Sequence, residues 1–221
     1  MVDTLAVRGV YVGTPQVAGN DVREVWSAIR KAPVTEPEIA LGETGLAGDR
    51  QADPVAHGGP DKAVYVYPSA NYAFWRAVGS DLEPARVGEN LAVAGPDERE
   101  VRIGDVWSWG EALVQVSQPR TPCYKLAAHT GRTDVAAHMI GSGRCGWYLR
   151  VLRAGRVPTG GELRRVETDP AAPTVHALFT GSYAPRDRVD PAGLRRMIGT
   201  PALGEQWRQG VLARLARIEA P

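Results

Sequence analysis

The stretch Val101-Arg-Ile-Gly-Asp-Val-Trp-Ser-Trp109-Gly110-Glu111-Ala112-Leu-Val-Gln-Val-Ser-Gln118 decides the fold class. Apolar residues alternate on both sides of Gly110-Glu111, a glycine-containing two-residue turn of the kind that joins antiparallel strands. Val101–Trp109 and Ala112–Gln118 are therefore expected to form a hairpin. The same signals recur outward from it. Leu5–Val12 is apolar and β-branched, and Val22–Lys31 alternates, with Val22, Glu24, Trp26 and Ala28 on one side. Ile39–Leu41 leads into a turn-rich stretch, and Ala63-Val-Tyr-Val-Tyr67 is a run of strand formers. Arg86–Val93 and a strand pair, Gly146–Arg153 with Gly161–Val166, complete the set. A helix is expected over Pro68–Val78, with proline at the first helical position, and another around Thr133–Ile140, with Thr133 as N-cap. So many short strands avoid exposed edges most simply by closing on themselves. Residues 1–168 are thus expected to be one mainly β domain, a barrel with one or two inserted helices.

Beyond the polar, proline-rich linker Glu167–Pro173 the period becomes helical. Thr174 caps Val175–Phe179, and Asp190-Pro191 opens a helix to about Ile198. Thr200-Pro201 repeats that device before the stripe Leu203, Trp207, Val211, Leu215 and Ile218. Residues 169–221 therefore read as a linker and a small C-terminal three-helix domain. A unit this small needs outside support, so the stripe is expected to lean on the barrel or on a second subunit, which leaves a homodimer open.

Hydrophobic residues make up 43% and charged residues 23% of the 221, which excludes a disordered or collagen-like chain. No run approaches the roughly 18 apolar residues of a membrane span. The net charge of +1 gives no global field for nucleic acid or an anionic membrane, so neither is an expected partner. Residues 144–221 carry 13 arginines against 7 acids, read as a solvated basic face. Lysine is scarce, which marks the three positions that hold it: Lys31, Lys62 and Lys125. With two cysteines and no leader pattern at Met1–Leu5, the expected setting is the reducing cytoplasm.

Two segments carry chemistry. In Gln118-Pro-Arg-Thr-Pro-Cys-Tyr-Lys125, two prolines fix the backbone around Cys123, and Arg120 and Lys125 lie close in sequence. Nearby cations favour the thiolate, which is both nucleophile and metal ligand. In His57-Gly58-Gly59-Pro60-Asp61-Lys62, the glycines permit close backbone approach, and His57 and Lys62 could hold an anion or relay a proton. Gly45–Asp53 and Gly88–Leu91 read as ordinary turns. His129 and His138 lack ligand-spaced partners and read as surface or capping residues, and His176 reads as structural. Cys145 begins a strand, and a Cys123–Cys145 disulfide is disfavoured in a reducing compartment.

Taken together, Gly45–Asp53, His57–Tyr67, Val87–Leu91, Ile103–Lys125 and Ser142–Val151 resemble the MOSC family, named for the C-terminal domain of the molybdenum cofactor sulfurase. Thr174–Ile218 resembles the three-helix tail of its YiiM-type branch. The resemblance implies a barrel of the pyruvate kinase barrel-domain kind. It implies the molybdenum cofactor, a pyranopterin dithiolene with a phosphate, and a role in reducing N-hydroxylated compounds such as hydroxylaminopurines. Cys123 maps to the molybdenum ligand and catalytic centre, with His57 a second catalytic candidate. Arg120, Lys125, Lys62, His57, Gly58, Gly59, Asp61 and Asn90 are the candidate cofactor-binding residues. A soft thiolate suits a sulfur-rich metal centre, and a phosphate wants arginine or lysine. Cys145 departs from the family pattern. The chain shows no flavin, haem or iron–sulfur motif, so a reductase would draw electrons from an external donor protein. Two alternatives stay open: a carrier of the cofactor or its sulfur, and, ranked last, a cofactor-free thiol enzyme.

Overall fold

In chain order the strands of the computed structural model are β1 Thr4–Val12, β2 Gln16–Asn20, β3 Arg23–Ser27, β4 Ala32–Pro33, β5 Glu38–Gly42, β6 Gly45–Leu46, β7 Val64–Pro68, β8 Leu91–Ala94, β9 Val106–Trp109, β10 Ala112–Pro119, β11 Trp147–Arg153, β12 Gly155–Pro158 and β13 Glu162–Glu167. The helices are α1 Asn71–Ala77, α2 Tyr124–Thr130, α3 Val135–Ser142, α4 Val175–Tyr183, α5 Pro191–Ile198 and α6 Glu205–Glu219. The structure describes residues 3–20, 23–53, 58–80 and 82–220.

The hairpin forms as β9 and β10, with Ala112 opposite Trp109. Gly110 turns it at φ +56°, where a Cβ would meet the Arg156 carbonyl at 2.6 Å, so only glycine fits. Seven strands then close in the order β13-β9-β10-β11-β7-β8-β1 and back to β13. The closing pair is antiparallel, with Thr4 opposite Arg164. Only β7 and β8 run parallel among these neighbours. Closure removes the edges that an open sheet would expose. Inside lie the fully buried Trp107, Trp109 and Trp147. All five residues of β7 are buried, which is why this strand reads as an unbroken apolar run. One hydrophobic core runs from the barrel into the tail and takes in Leu203, Trp207, Val211 and Leu215. Those four residues of the tail's stripe are therefore covered within the chain, and Ile218 is partly buried. Thr174 and Asp190 cap α4 and α5 through Ala177 N at 3.1 Å and Gly193 N at 2.9 Å. Among the described residues no helix is long and apolar enough to cross a membrane.

Several expectations are corrected. Val22–Lys31 is not one strand: β3 is one arm of the β2–β3 hairpin, and its buried face carries Val25 and Ser27, leaving Trp26 exposed (Val22 lies outside the described residues). Pro68 ends β7 instead of opening a helix, and Ser69 N takes the next bond, to Val93 O at 2.7 Å. Arg86–Asn90 is a loop, because the buried Glu89 carboxylate gathers Ala85 N at 2.5 Å and Val87 N at 3.2 Å. Val101–Asp105 turns likewise around the Asp105 carboxylate, which accepts from Arg102 N at 3.0 Å. Three helices, not one or two, interrupt the barrel strands, and Asp134, not Thr133, precedes α3. β11 and β13 do not pair with each other: β11 lies between β10 and β7, and β13 between β9 and β1. Thr200-Pro201 is a turn, and α6 starts after Gly204.

Glu98 ties α1 to the start of β11 from full burial. Its Oε1 accepts from Asn71 Nδ2 and Gly146 N, both at 2.8 Å. Burial pushes its pKa up to about 7 from 4.5. A raised folded-state pKa means that the stability is fully present below pH 4.5 and is lost as pH rises through about 7. Glu98→Gln, which mimics the protonated acid, is expected to flatten that fall. Thermal melts from pH 4.5 to 8 check it, and parallel profiles for wild type and variant would refute it.

Candidate functional site

Strand β10 ends at Pro119, and the chain turns through Arg120-Thr121-Pro122 to Cys123, which stands in extended conformation just before α2. Arg120, Cys123 and Lys125 thereby face one cavity. Tyr65 of β7 and Tyr148 of β11 line it, with Lys31 from beyond β3 and Asp49 and Arg50 from beyond β6. Its charge is lopsided: Lys31, Arg50, Lys62, Arg120 and Lys125 against Asp49. All three lysines of the chain meet here.

Arg120 is the most constrained of the cations. It is 7% exposed, its guanidinium lies 5.2 Å from the Tyr65 ring centre, and it bonds Met139 Sδ at 3.7 Å and the Tyr148 side chain. Among the described residues no carboxylate lies within ion-pairing distance of it. Arginine does not lose its proton, so this is a buried positive charge with aromatic company and no counter-ion. Lys31, by contrast, is paired with Asp49, whose Oδ1 also accepts from Gly13 N at 2.8 Å. Lys62 Nζ donates to Gln206 Oε1 at the start of α6. Burial lowers the Lys62 pKa, against the pull of Asp61 and Asp53.

A second compartment opens beside Cys123. Lys62, Cys123, Lys125 and Tyr148 line both spaces, and Gln118, Thr121, Gln206 and Trp207 wall the second. Cys123 thus stands on the partition between a cationic cavity and a space that the tail helps to enclose.

Of the residues singled out in the sequence, Arg120, Cys123, Lys125, Lys62 and Asn90 come together at the cavity. The Asn90 amide is spent on backbone, accepting from Tyr65 N at 3.1 Å and donating to Tyr11 O at 3.2 Å. Asp61 is not part of the cavity wall; it accepts from Arg150 Nε at 2.8 Å. Gly58 and Gly59 are not part of the wall either, and Gly59 at φ +95° leads into the 3-10 turn Pro60–Lys62. His57 lies outside the described residues. The Gly45–Asp53 turn does more than expected, since it delivers Asp49 and Arg50. Tyr65 and Tyr148 were legible only as strand residues. His129 is not a surface or capping residue: both ring nitrogens are buried without a hydrogen-bond partner among the described residues, and burial, then Arg30 and Arg86, holds its pKa down at about 4.

Neither cysteine is in a disulfide. Cys145 is fully buried, its Sγ donates to Gly146 O at 3.1 Å, and burial pushes its pKa well up, which makes it an inert thiol. Cys145→Ser keeps a donor at that position and is expected to change whatever activity the Cys123 site has by less than about twofold. A loss comparable to that of a Cys123 variant would overturn this assignment.

The family model for the MOSC domain matches residues 53–164, the segment that carries Lys62, Arg120, Cys123 and Lys125. Protein YiiM of Escherichia coli K12 is 38% identical over 186 residues, covering 82% of this chain and 81% of that one. A Gibberella moniliformis protein described as a reductase is 35% identical over 149 residues, which is 65% of this chain but 26% of that longer one. The crystal structure of YiiM from Geobacillus stearothermophilus superposes with a TM-score of 0.78 at 32% identity, covering 96% of this chain and 99% of that one. With the closed barrel, the helical tail and the Cys123 cavity in place, these likenesses settle the family: the chain belongs to the MOSC domain family, as a YiiM-type member.

Proposed function

We propose that this protein binds the molybdenum cofactor in the Cys123 cavity and reduces N-hydroxylated compounds, such as hydroxylaminopurines, to amines. The observation that carries the reading is Arg120, a buried guanidinium without a carboxylate, beside a cysteine in a cavity of five cations and one acid. A phosphate would supply the missing counter-charge, and a planar guanidinium binds it through two bonds. Among the described residues no three His, Cys, Asp or Glu side chains converge on a metal, so Cys123 would be one protein ligand and the other sulfurs would arrive with the pterin.

Bound there, the cofactor supplies a centre able to pass two electrons to an N–O bond. The chain's own residues do the rest. Cys123 Sγ would hold the metal, Arg120 would hold the phosphate, and Lys125 and Arg50 would add positive field. The reaction consumes two electrons and two protons and yields an amine and water. Lys62 lines both spaces, and burial lowers its pKa, so its Nζ holds a proton that it can release to the leaving oxygen. The electrons come from an external donor protein. The fungal relative described as a reductase supports redox chemistry, and the two thiols suit a cytoplasmic setting.

The test is molybdenum and pterin content of protein from a cofactor-competent host, followed by turnover of 6-hydroxylaminopurine with a chemical reductant. Near-stoichiometric metal and formation of adenine are expected. Metal and pterin without turnover would make the chain a cofactor carrier, and absence of both would overturn the reading.

A further inference from the structure

Two phenols line the Cys123 cavity, and the fold treats them differently. Tyr65 of β7 is buried, and its hydroxyl donates to Cys145 O at 2.9 Å, so its proton is spent on the backbone. Tyr148 of β11 stands opposite Tyr65 in the sheet and is partly exposed. Its side chain is bonded to the Arg120 guanidinium. Arginine carries donors only, so Tyr148 Oη is the acceptor in that bond and its O–H is left to donate elsewhere. No oxygen of the described residues takes it. The charges that act on this phenol are those of Arg120 and Cys123, which puts its hydroxyl beside both. We propose that Tyr148 recognises the substrate by its oxygen: the O–H donates to the oxygen of an N–O group held beside Cys123. The inference rests on the reading of Cys123 as the reaction centre. It adds the group that tells an N-hydroxylated compound from the amine that it yields.

The surroundings fit such a role. Tyr148 lines both spaces, as Lys62, Cys123 and Lys125 do, so a ligand that reaches Cys123 from either side meets the phenol. The ring is held in place: its centre lies 5.3 Å from that of Tyr65, and Tyr148 O accepts from Ser117 Oγ at 3.1 Å. The hydroxyl is therefore preorganised. Burial pushes its pKa up against the pull of Arg120, so the phenol keeps its proton at neutral pH. The bond from Arg120 polarises the O–H and strengthens it as a donor. A substrate oxygen has two lone pairs, so it can accept from Tyr148 and still take the Lys62 proton. The amine product has no oxygen there and leaves the O–H without an acceptor. A site built around such a donor rejects the analogue that cannot satisfy it.

Two variants test this. Tyr148→Phe removes the O–H and keeps the ring. Tyr65→Phe removes a hydroxyl from the same wall whose proton the backbone already holds, and serves as the control. The holoprotein is titrated calorimetrically with 6-hydroxylaminopurine and with adenine, which differ by one oxygen. Reductant is left out, so that nothing turns over, and affinities are compared for the metal-loaded fraction. Wild type is expected to bind the hydroxylamine at least about tenfold more tightly. Tyr148→Phe is expected to erase that ratio by weakening the hydroxylamine about tenfold, or roughly 1.4 kcal/mol, with adenine changed by less than about twofold. Tyr65→Phe is expected to keep the ratio. The rate at which iodoacetamide alkylates Cys123 in the cofactor-free proteins is read alongside. Equal affinities in wild type, or a ratio that survives in Tyr148→Phe, would overturn the proposal. A surviving ratio with altered alkylation would assign the O–H to Cys123 Sγ instead. Failure of wild type to bind the hydroxylamine would overturn this role and the substrate reading together. A ratio that depends on Tyr148 in a protein that shows no turnover once reductant is added would leave the role standing and overturn the reductase reading alone.

Discussion

Cys123→Ser is expected to strip molybdenum from the protein and abolish turnover while leaving the melting temperature unchanged or slightly raised. The loss follows from ligand softness: a thiolate forms readily and binds a sulfur-coordinated metal, whereas a serine hydroxyl stays protonated and hard. Removing outer-shell partners of a metal already costs about 10–100-fold in affinity or activity, so removing the protein's own ligand should exceed about 100-fold. The stability half follows from position. Cys123 precedes α2 in extended conformation, at φ −126°, and makes no side-chain capping bond. Serine is among the favoured residues there, because its oxygen can accept from a free N–H of the first turn. Elemental analysis, turnover and a thermal melt on one preparation check all three quantities. A variant that keeps metal and activity would remove Cys123 from the centre. One that loses both along with its fold would make Cys123 a structural residue.

The β9–β10 hairpin and the two N-caps of the tail were legible because each is written within a few residues: a turn glycine between alternating runs, a threonine or aspartate before a helical pattern. That Cys123, Arg120 and Lys125 lie together followed from the same local spacing. Lysine scarcity only marked three positions, Lys31, Lys62 and Lys125, with nothing in the sequence to say that all three line one cavity. What was not legible depends on partners far along the chain. Glu89 turns a strand-like run into a loop by binding backbone four residues away and the Tyr72 hydroxyl. The flanking turn of Asp49 is unremarkable until Lys31 and Gly13 meet it. Gln118 and Trp207 share a compartment only because the tail folds back on β10. No local pattern announces such meetings, since sequence spacing sets no distance between elements whose packing is unknown.

Lys31→Met is expected to destabilise the fold by about 3–5 kcal/mol, the usual cost of breaking a buried ion pair from one side. The side chains of Lys31 and Asp49 are 6% and 1% exposed. Methionine fills much the same volume but leaves the Asp49 carboxylate with Gly13 N and a long contact to Gln51 Nε2 at 3.5 Å. In a chain of this size each kcal/mol moves the midpoint by about 2–4 °C, so a fall of roughly 6–20 °C should appear in a melt. Lys31→Met combined with Asp49→Asn removes both charges, and most of the loss should return, because it reflects a stranded charge and not the net worth of the pair. If the single variant melts within about 2 °C of wild type, water reaches Asp49 and the pair is not buried in solution. The double variant also separates architecture from binding. Arg50, Lys62, Arg120 and Lys125 remain in its cavity and the one acid is gone. A protein that regains its stability and still retains molybdenum would show that Lys31 and Asp49 brace the wall, while the anion is held elsewhere in the cavity, at Arg120 first.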